Sequence, residues 1–327
     1  MSRLTHQHIE RIRQTPGQSL LLFITDRCPV ECAHCSVDSN PDSPTISDFQ
    51  QFGLLIDAMG AMPDVQVVGI SGGEPFVEKR GLQMAVDNLH AMGKSLVIYT
   101  SGVWGQAERA PAWIQNVLQK TSTVVLSTDA FHQAHVDPAT VIHAARAIAD
   151  AGVWLVVQTL HPGMAKTLME QAFGHDWPHH GELVSLSPLP NGRGALLFQR
   201  TLKHWASDIG PCALAVTPVV RYDGQLTACC NEDVIMGKGP QRLRQQLHSP
   251  TTLHTQLKQW RKDPLLGAVA RIGPGLLLEH PQLEPLQNQR CSNACEVCWK
   301  VMAQWPEVPC NDRLVTALNS LEPAIES

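Results

Sequence analysis

The sequence of 327 residues has no long apolar run, no block of lysine or arginine, and no internal repeat. Its longest apolar stretches, 20–24 and 153–157, have the length of a strand and are far too short to cross a membrane. A net charge of -5 without a basic block argues against nucleic acid as the main partner. The segment 1–18 is polar and mixed in charge, unlike a secretory signal. The sequence therefore predicts a cytoplasmic protein with no membrane or nucleic-acid partner.

Cysteine, in contrast, is abundant, with ten residues. Without an export signal, so many thiols indicate metal or redox chemistry rather than a disulfide framework. Three of them, Cys28, Cys32 and Cys35, form the pattern C-x3-C-x2-C directly after the apolar run 20–25. Three soft thiolates can hold an iron–sulfur cluster that needs four ligands. The fourth iron is then free to coordinate a small molecule.

This spacing resembles that of the radical S-adenosylmethionine (radical SAM) enzymes. The resemblance implies a [4Fe–4S] cluster whose free iron chelates the amino and carboxylate groups of S-adenosylmethionine. Reductive cleavage then yields a 5′-deoxyadenosyl radical that abstracts a substrate hydrogen. The alternatives are a zinc knuckle and three unrelated buried thiols, although structural zinc favours paired C-x2-C units with four ligands.

The order of apolar and amphipathic segments predicts an α/β fold. Apolar runs at 20–25, 65–70, 96–100, 124–127, 153–158 and 183–186 alternate with helix-like segments. This alternation predicts a parallel sheet with right-handed crossovers. The resemblance implies a partial (β/α)6 TIM-like barrel of the radical SAM type. Ligands of parallel α/β sheets bind at the carboxyl ends of the strands, where the motifs below are expected to lie.

The alternation ends near Gly194, and seven cysteines follow. We therefore predict an N-terminal extension (1–19), a radical SAM core (20–195) and a smaller, irregular auxiliary-cluster domain (205–320). Because the last segment has little regular periodicity, it needs a bound metal ion or cluster to be ordered.

Several motifs of the core are predicted to bind the cofactor. Gly72, Gly73, Glu74 and Pro75 resemble the family's GGE-type motif, which contacts the amino group of S-adenosylmethionine. Ser101, Ser127 and Asp129 follow predicted strands and resemble family positions near the cofactor. Arg193, in the segment PLPNGRG, could pair with the methionine carboxylate. The alternatives are a glycine turn, ordinary strand terminators and a surface arginine.

Two histidines are further candidates near the same site. His34 precedes the third cysteine, where relatives usually have an aromatic residue beside adenine; an imidazole can also stack, but it titrates. His132 and His135 follow the fourth predicted strand and could act as acid or base. Both could equally be solvated loop histidines. His132 is retained as a catalytic candidate.

The C-terminal cysteines resemble those of the auxiliary-cluster domains called SPASM and twitch, although the full SPASM pattern is not reproduced. Asp223-Gly224 predicts a hairpin that brings Cys212 and Cys229 together. The expected auxiliary cluster has four ligands: Cys212, Cys229, Cys295 and Cys298. The remaining Cys230, Cys291 and Cys310 could hold a second, open cluster, or Cys230 or Cys310 could donate a hydrogen atom. Zinc is the structural alternative.

The resemblance implies an oxidoreductase that cross-links or epimerises a ribosomally made peptide. One alternative is oxidation or epimerisation of a small molecule such as an aminosugar. Another is a non-enzymatic binding protein whose fold is stabilised by zinc or an iron–sulfur cluster. A flavodoxin- or ferredoxin-type electron donor is expected. No peptide-binding domain precedes residue 20, so a separate precursor-binding protein could supply recognition.

Overall fold

The structure is a computed structural model that describes residues 3–305 and 312–320. Its centre is a nine-stranded sheet with strand order β10-β9-β8-β1-β2-β3-β4-β5-β6. The strands are β1 (Ser19–Phe23), β2 (Val67–Ser71), β3 (Ser95–Thr100), β4 (Thr123–Ser127), β5 (Trp154–Thr159), β6 (Gly181–Ser185), β7 (His204–Trp205), β8 (Val219–Arg221), β9 (Gln225–Thr227), β10 (Arg244–Gln246) and β11 (Arg290–Cys291).

Helices connect and cover these strands. They are α1 (His6–Gln14), α2 (Phe49–Gly60), α3 (Lys79–Ala91), α4 (Ala112–Leu118), α5 (Ala130–Gln133), α6 (Pro138–Asp150), α7 (Pro162–Phe173), α8 (Glu232–Ile235), α9 (Leu253–Arg261), α10 (Pro264–Arg271), α11 (Pro274–Leu277), α12 (Glu284–Gln287), α13 (Ala294–Gln304) and α14 (Arg313–Ser320). Within the described ranges, no helix combines the length and apolarity that a membrane span requires.

The predicted fold class is confirmed. Strands β1 to β6 are parallel and adjacent in chain order, and each predicted apolar run overlaps one of them. The sheet is open: β6 pairs with β5 alone, whereas β1 pairs with β8 on its other side. The architecture is therefore a partial, TIM-like barrel without closure.

The two faces of the sheet carry different layers, because successive side chains of a strand point to opposite faces. Leu20 and Leu22 of β1 belong to the main core, which α2 to α7 cover. Leu21 and Phe23 point to the concave inner face. That face is covered in part by α1, whose Ile9 packs against Val67 and the equivalent valines of β3 to β5.

The N-terminal segment is anchored to this inner face. Thr5 caps α1 by accepting a hydrogen bond from His8 N, and His6 N donates to Glu182 Oε1 at 2.6 Å. Leu4 exchanges two hydrogen bonds with the hydroxyl of Thr123 on β4. Residues 3–14 thus form an inner layer of the barrel.

The C-terminal half joins the same sheet. Strand β8 runs parallel to β1, and the predicted hairpin at Asp223-Gly224 links it to antiparallel β9. Gly224 has φ +82°, a left-handed conformation that glycine adopts without steric cost. A second apolar core, built around α10, α11 and α13, contains Cys229 and Cys291.

Candidate active site at the carboxyl ends of the strands

A cavity of about 300 Å³ lies where the parallel strands end, and we call it the mouth cavity. The strand ends and the loops after them all contribute to its wall. Its lining includes Cys28, Cys32, His34, Cys35, Ser71, Gly72, Gly73, Thr100, Ser101, Ser127, Asp129, His132, Gln158, Thr159, Leu186, Leu189, Arg193 and Glu232. Most of the residues that the sequence nominates as a cofactor site therefore face one cavity.

The three cysteines of the motif lie on one loop, 26–40, which we call the cluster loop. Its ends are held by a hydrogen bond from Cys28 N to Asn40 O at 3.1 Å. Glu31 has φ +50°, a left-handed conformation that a non-glycine residue seldom adopts and that bends the chain between the first two thiols. Burial, with a smaller contribution from the neighbouring motif thiols, raises the pKa of Cys28 to about 11 and that of Cys32 to about 12.

The donor set fits an iron–sulfur cluster with one open iron. Burial and repulsion between neighbouring thiolates keep these thiols protonated, and a bound metal would replace the protons and stabilise the thiolates. The three sulfur-bearing side chains share the mouth cavity with glycines and hydroxyls that leave room for a ligand. Cys28, Cys32 and Cys35 would hold such a cluster.

The glycine motif fits tightly against the cluster loop. Gly73 N donates to Thr25 O at 2.7 Å, and Glu74 N donates to Arg27 O at 2.9 Å. A Cβ atom on Gly73 would collide with the carbonyl of Arg27, and one on Gly72 with that of Thr25. The resemblance implies that these glycines lie beside S-adenosylmethionine. In the structure they also permit close approach of the cluster loop.

Glu74 lies behind the cavity wall. Its fully buried carboxylate accepts hydrogen bonds from Thr100 Oγ1 at 2.8 Å, Ser101 N at 2.8 Å and Ser101 Oγ at 2.6 Å. Burial raises the pKa of Glu74 although these donors oppose it. Pro75 is also buried and begins a short 3₁₀ turn. Glu74 thus joins the ends of β2 and β3 and orients Ser101 toward the cavity.

Asp129, the N-cap of α5, holds two imidazoles at the cavity. Its Oδ1 lies 3.0 Å from His132 Nδ1, and its Oδ2 lies 3.4 Å from His34 Nε2. Burial alone would raise the pKa of Asp129, but the two histidines keep it well below its usual range. His34 stacks on Phe131 with ring centroids 4.8 Å apart. His135, in contrast, is exposed and absent from the cavity wall.

Arg193 lies at the cavity but is largely committed to the protein. Its Nε donates to Cys32 O at 3.0 Å, and its Nη2 donates to Ser39 O at 2.9 Å. Its backbone N donates to Cys35 O at 2.9 Å. Arg193 therefore clamps the cluster loop, and pairing with a carboxylate stays a prediction.

A second cavity of about 340 Å³, the inner cavity, lies on the concave face between the sheet and α1. It shares several wall residues with the mouth cavity: Ser36, Val37, Ser71, Gly72, Tyr99, Gln158, Leu186, Leu189 and Glu232. Most of its remaining wall is apolar, from Leu21, Phe23, Val67 and Val97. A substrate group could thus extend from the mouth cavity into a mainly apolar chamber.

Three polar side chains meet in the inner cavity. Arg13 of α1 donates from Nη2 to Cys230 Sγ at 3.3 Å. Glu232 lines both cavities, and Asn191 Nδ2 donates to its carboxylate at 3.4 Å. Burial raises the pKa of Cys230 and of Glu232. Sequence reasoning nominated Cys230 but missed Arg13 and Glu232, since neither belongs to a motif.

Four C-terminal thiols come together as expected for one auxiliary site. Cys295 and Cys298 lie one turn apart on α13, so both point to one side of the helix. Burial, with a smaller contribution from Cys212, raises the pKa of each to about 12. Burial also raises the pKa of Cys229, and Cys230, Cys295 and Cys298 contribute to that rise. These four side chains, from three distant segments, are the candidate ligands.

Cys230 lies beside this group: it raises the pKa of Cys229 and of Cys295, and Cys212 raises the pKa of Cys230. Cys291, in contrast, is not brought into the group. Cys291, on β11, is buried with its Sγ 3.6 Å from His204 O, and its charged neighbours are Glu296, Lys300 and Asp208. The structure therefore does not bring Cys291 to Cys230, as a second open cluster would require. Cys310 lies outside the described residues.

The spacing of the thiols bears on the zinc alternative. A tetrahedral zinc ion with Zn–S bonds of about 2.3 Å holds its sulfur atoms roughly 3.8 Å apart. Across residues 3–305 and 312–320, the group whose ligand atoms all lie within 4.8 Å of one another is Cys32, His34 and His132. The four C-terminal thiols do not form so compact a group. Among the described residues, these thiols are therefore not arranged as a preformed tetrahedral zinc site.

Comparison with known proteins gives a short sequence match. No protein-family model matches the chain. A segment of 93 residues is 23% identical to YydG of Bacillus subtilis (strain 168), a protein provisionally assigned to peptide biosynthesis. The match covers 28% of this chain and 29% of YydG, so less than a third of the relative's length is spanned.

Solved structures match over most of the chain. The structure of anSMEcpe with bound AdoMet and the Cp18Cys peptide has a TM-score of 0.52 at 13% identity, covering 93% of this chain and 99% of that one. Streptococcus suis SuiB bound to S-adenosylmethionine gives 0.49 at 14% identity, with 80% and 71% covered. BtrN in complex with AdoMet and 2-DOIA gives 0.45 at 12% identity, with 88% and 89% covered. Of these three, the match to anSMEcpe has a TM-score above 0.5, and at 13% identity it shows a shared fold.

Proposed function

We propose that this chain is a radical SAM enzyme that epimerises a residue of a ribosomally made peptide, with Cys230 as the hydrogen donor. The observation that carries the proposal is the position of Cys230. Its thiol lines the inner cavity, which adjoins the mouth cavity, and accepts a hydrogen bond from Arg13, while Cys212, Cys229 and Cys295 lie nearby. A hydrogen donor must reach the substrate, and a thiol on the wall of the inner cavity has that access.

The comparisons support a peptide substrate. The neighbour anSMEcpe has been solved with a bound peptide, and YydG is provisionally assigned to peptide biosynthesis. The open edge of the sheet and the joined cavities would admit a chain segment that places one side chain in the apolar inner cavity. Glu232, at the boundary of the two cavities, could accept a hydrogen bond from a peptide N–H.

Different residues of the mouth cavity would bind the cluster and S-adenosylmethionine. Cys28, Cys32 and Cys35 would hold the [4Fe–4S] cluster, and Gly72, Gly73 and Ser101 would border S-adenosylmethionine. The reduced cluster and this cofactor together supply a 5′-deoxyadenosyl radical, which takes a hydrogen atom from the substrate. Asp129 keeps His34 and His132 in place beside the cofactor. Arg193 and Glu74 keep the cluster loop and Ser101 in position.

Cys230 would complete the reaction from the inner side. Its S–H bond breaks and a C–H bond forms at the substrate carbon, which inverts the centre when the hydrogen arrives from the face opposite to abstraction. The sulfur is left as a thiyl radical. One electron from an iron–sulfur or flavin reductant and one proton from solvent restore the thiol. The peptide keeps its mass, and one S-adenosylmethionine is consumed.

The test uses anaerobically reconstituted enzyme in D₂O, with dithionite, S-adenosylmethionine and a mixture of synthetic peptides of varied sequence, analysed by mass spectrometry. Wild-type enzyme should add one deuterium to the peptide for each inverted residue, because a thiol exchanges its hydrogen with solvent. Cys230→Ser should still form 5′-deoxyadenosine but should add no deuterium. Cys291→Ser changes another buried thiol outside the four-thiol group and should behave as wild type. Deuterium incorporation by Cys230→Ser would refute the proposal.

Net oxidation is the second candidate, and the four-thiol group favours it. A cluster held by Cys212, Cys229, Cys295 and Cys298 could accept an electron from a substrate radical, giving a cross-link. The same assay separates the two reactions. A cross-linked peptide loses two hydrogen atoms in mass, and its formation would not depend on Cys230.

A further inference from the structure

The contact between Arg13 and Cys230 joins residues 217 positions apart. Arg13 Nη1 lies 2.6 Å from Glu10 Oε1, while Nη2 lies 3.3 Å from Cys230 Sγ. The guanidinium therefore forms an ion pair with Glu10 of the same helix and donates a hydrogen bond to the Cys230 thiol. Thr217 Oγ1 also donates to Arg13 O at 3.4 Å, which ties the end of α1 to the segment before β8.

Cys229 and Cys230 are adjacent, and their thiols interact, but their side chains pack in different cores. Cys229 faces the second core and the other cluster candidates, whereas Cys230 packs with Phe23, Val219 and Ile235 on the inner face. A thiol is a weak acceptor that a single rotation about χ1 can redirect. A charged donor at hydrogen-bond distance is much stronger than a neutral one and selects one rotamer.

We infer that Arg13 is a positioning residue that fixes the Cys230 thiol in the inner cavity for hydrogen transfer. This inference rests on the proposed function. A transferred hydrogen atom requires the donor sulfur and the substrate carbon in near contact, so a thiol that samples other rotamers transfers less often. The substrate radical then decays by other routes while 5′-deoxyadenosine still forms. The signature of a lost positioning residue is thus a lower ratio of inverted peptide to 5′-deoxyadenosine.

The chain offers matched variants for this test. Arg13→Ala removes the guanidinium, and Arg13→Lys keeps a cationic donor on a side chain of similar reach. Arg11→Ala removes an exposed arginine from the same helix and serves as the control. All three are reconstituted as full-length enzyme and assayed in D₂O with a synthetic peptide that the wild-type enzyme deuterates. Iron content and the spectrum of the reduced clusters are recorded in the absence of peptide.

Arg13→Ala should keep its iron, its cluster spectrum and its 5′-deoxyadenosine formation. Its ratio of deuterated peptide to 5′-deoxyadenosine should fall by about tenfold, the usual effect of losing one hydrogen bond from a charged donor. Arg13→Lys should recover most of this ratio, and Arg11→Ala should match wild type.

Two results would overturn the inference and leave the proposed function intact. The first is an unchanged ratio in Arg13→Ala while Cys230→Ser adds no deuterium. The second is a loss of iron or of 5′-deoxyadenosine formation in Arg13→Ala, which would give α1 a structural role only. Deuterium incorporation by Cys230→Ser would instead refute the proposed function, and the inference with it.

Discussion

The chain gathers its thiols in two regions, and these differ in how far apart the contributing residues lie in sequence. Cys28, Cys32 and Cys35 come from a single loop, whose backbone closes on itself between Cys28 and Asn40. The four-thiol group draws on three segments: Cys212, Cys229 after β9, and α13. A local loop keeps its ligands close together even when the surrounding fold is loosened. A group collected from distant segments depends on tertiary packing.

The largest effect should follow from removing the local group. Changing Cys28, Cys32 and Cys35 to Ala should reduce 5′-deoxyadenosine formation to background, because no site for the cleaving cluster would remain. Iron should fall by about four atoms per chain from a total of about eight, since each cubane cluster contains four irons. Product analysis and iron assay check both points. Persistent 5′-deoxyadenosine in the triple variant would show that the loop is not the cluster site.

Removing the distant group should have a different effect. Changing Cys295 and Cys298 to Ala should also cost about four irons per chain. Cleavage of S-adenosylmethionine should continue, but inverted peptide should stop at about one per enzyme, because the thiyl radical left on Cys230 would no longer receive an electron from this cluster. Iron content and the ratio of peptide product to 5′-deoxyadenosine are the measurements.

The control for this variant is Cys291→Ala, which removes a buried thiol that contacts His204 O and lies outside the four-thiol group. It should keep all of its iron. If Cys291→Ala lost iron instead, the ligand set would need revision. If wild-type protein held four irons and one zinc, the distant group would be a structural zinc site.

The same contrast explains what the sequence could predict. The parallel strands β1 to β6 follow from apolar runs separated by amphipathic segments, and that pattern is local. The cluster loop follows from the spacing of three cysteines. Both were predicted to within a few residues: β4, for example, spans Thr123–Ser127 where the sequence predicts an apolar run at 124–127.

Long-range placement could not be predicted in this way. Strand β8 has three residues, and nothing in Val219–Arg221 indicates that it pairs with β1. Segment 1–19 was expected to be an extension, yet Arg13 reaches the inner cavity. The pattern of apolar and polar residues in the sequence identifies α1 as amphipathic, but it does not identify the surface that α1 covers. Such partners are selected by the tertiary fold.

One buried ion pair links the two regions. Arg221 on β8 forms two hydrogen bonds with Asp26 of the cluster loop, at 3.0 Å and 2.8 Å, and Tyr222 OH donates to the same carboxylate at 2.9 Å. Arg221 is 5% exposed and Asp26 is 6% exposed. The C-terminal half thus holds the cluster loop two residues before its first thiol.

The smallest effect, and the sharpest test of this link, should come from Arg221→Met. Removing one partner of a buried pair typically costs about 3–5 kcal/mol of unfolding free energy, because the other charge stays buried. We expect a lower apparent unfolding midpoint and weaker binding of S-adenosylmethionine, with iron retained, because the cluster loop loses its hydrogen bonds to β8.

The control is Arg242→Met, which removes a similar bidentate pair with Asp263, away from the cluster loop. It should lower the midpoint without changing cofactor affinity, as judged by titrating the cluster spectrum. Equal affinities in both variants would show that the ion pair stabilises the fold but does not connect the two regions.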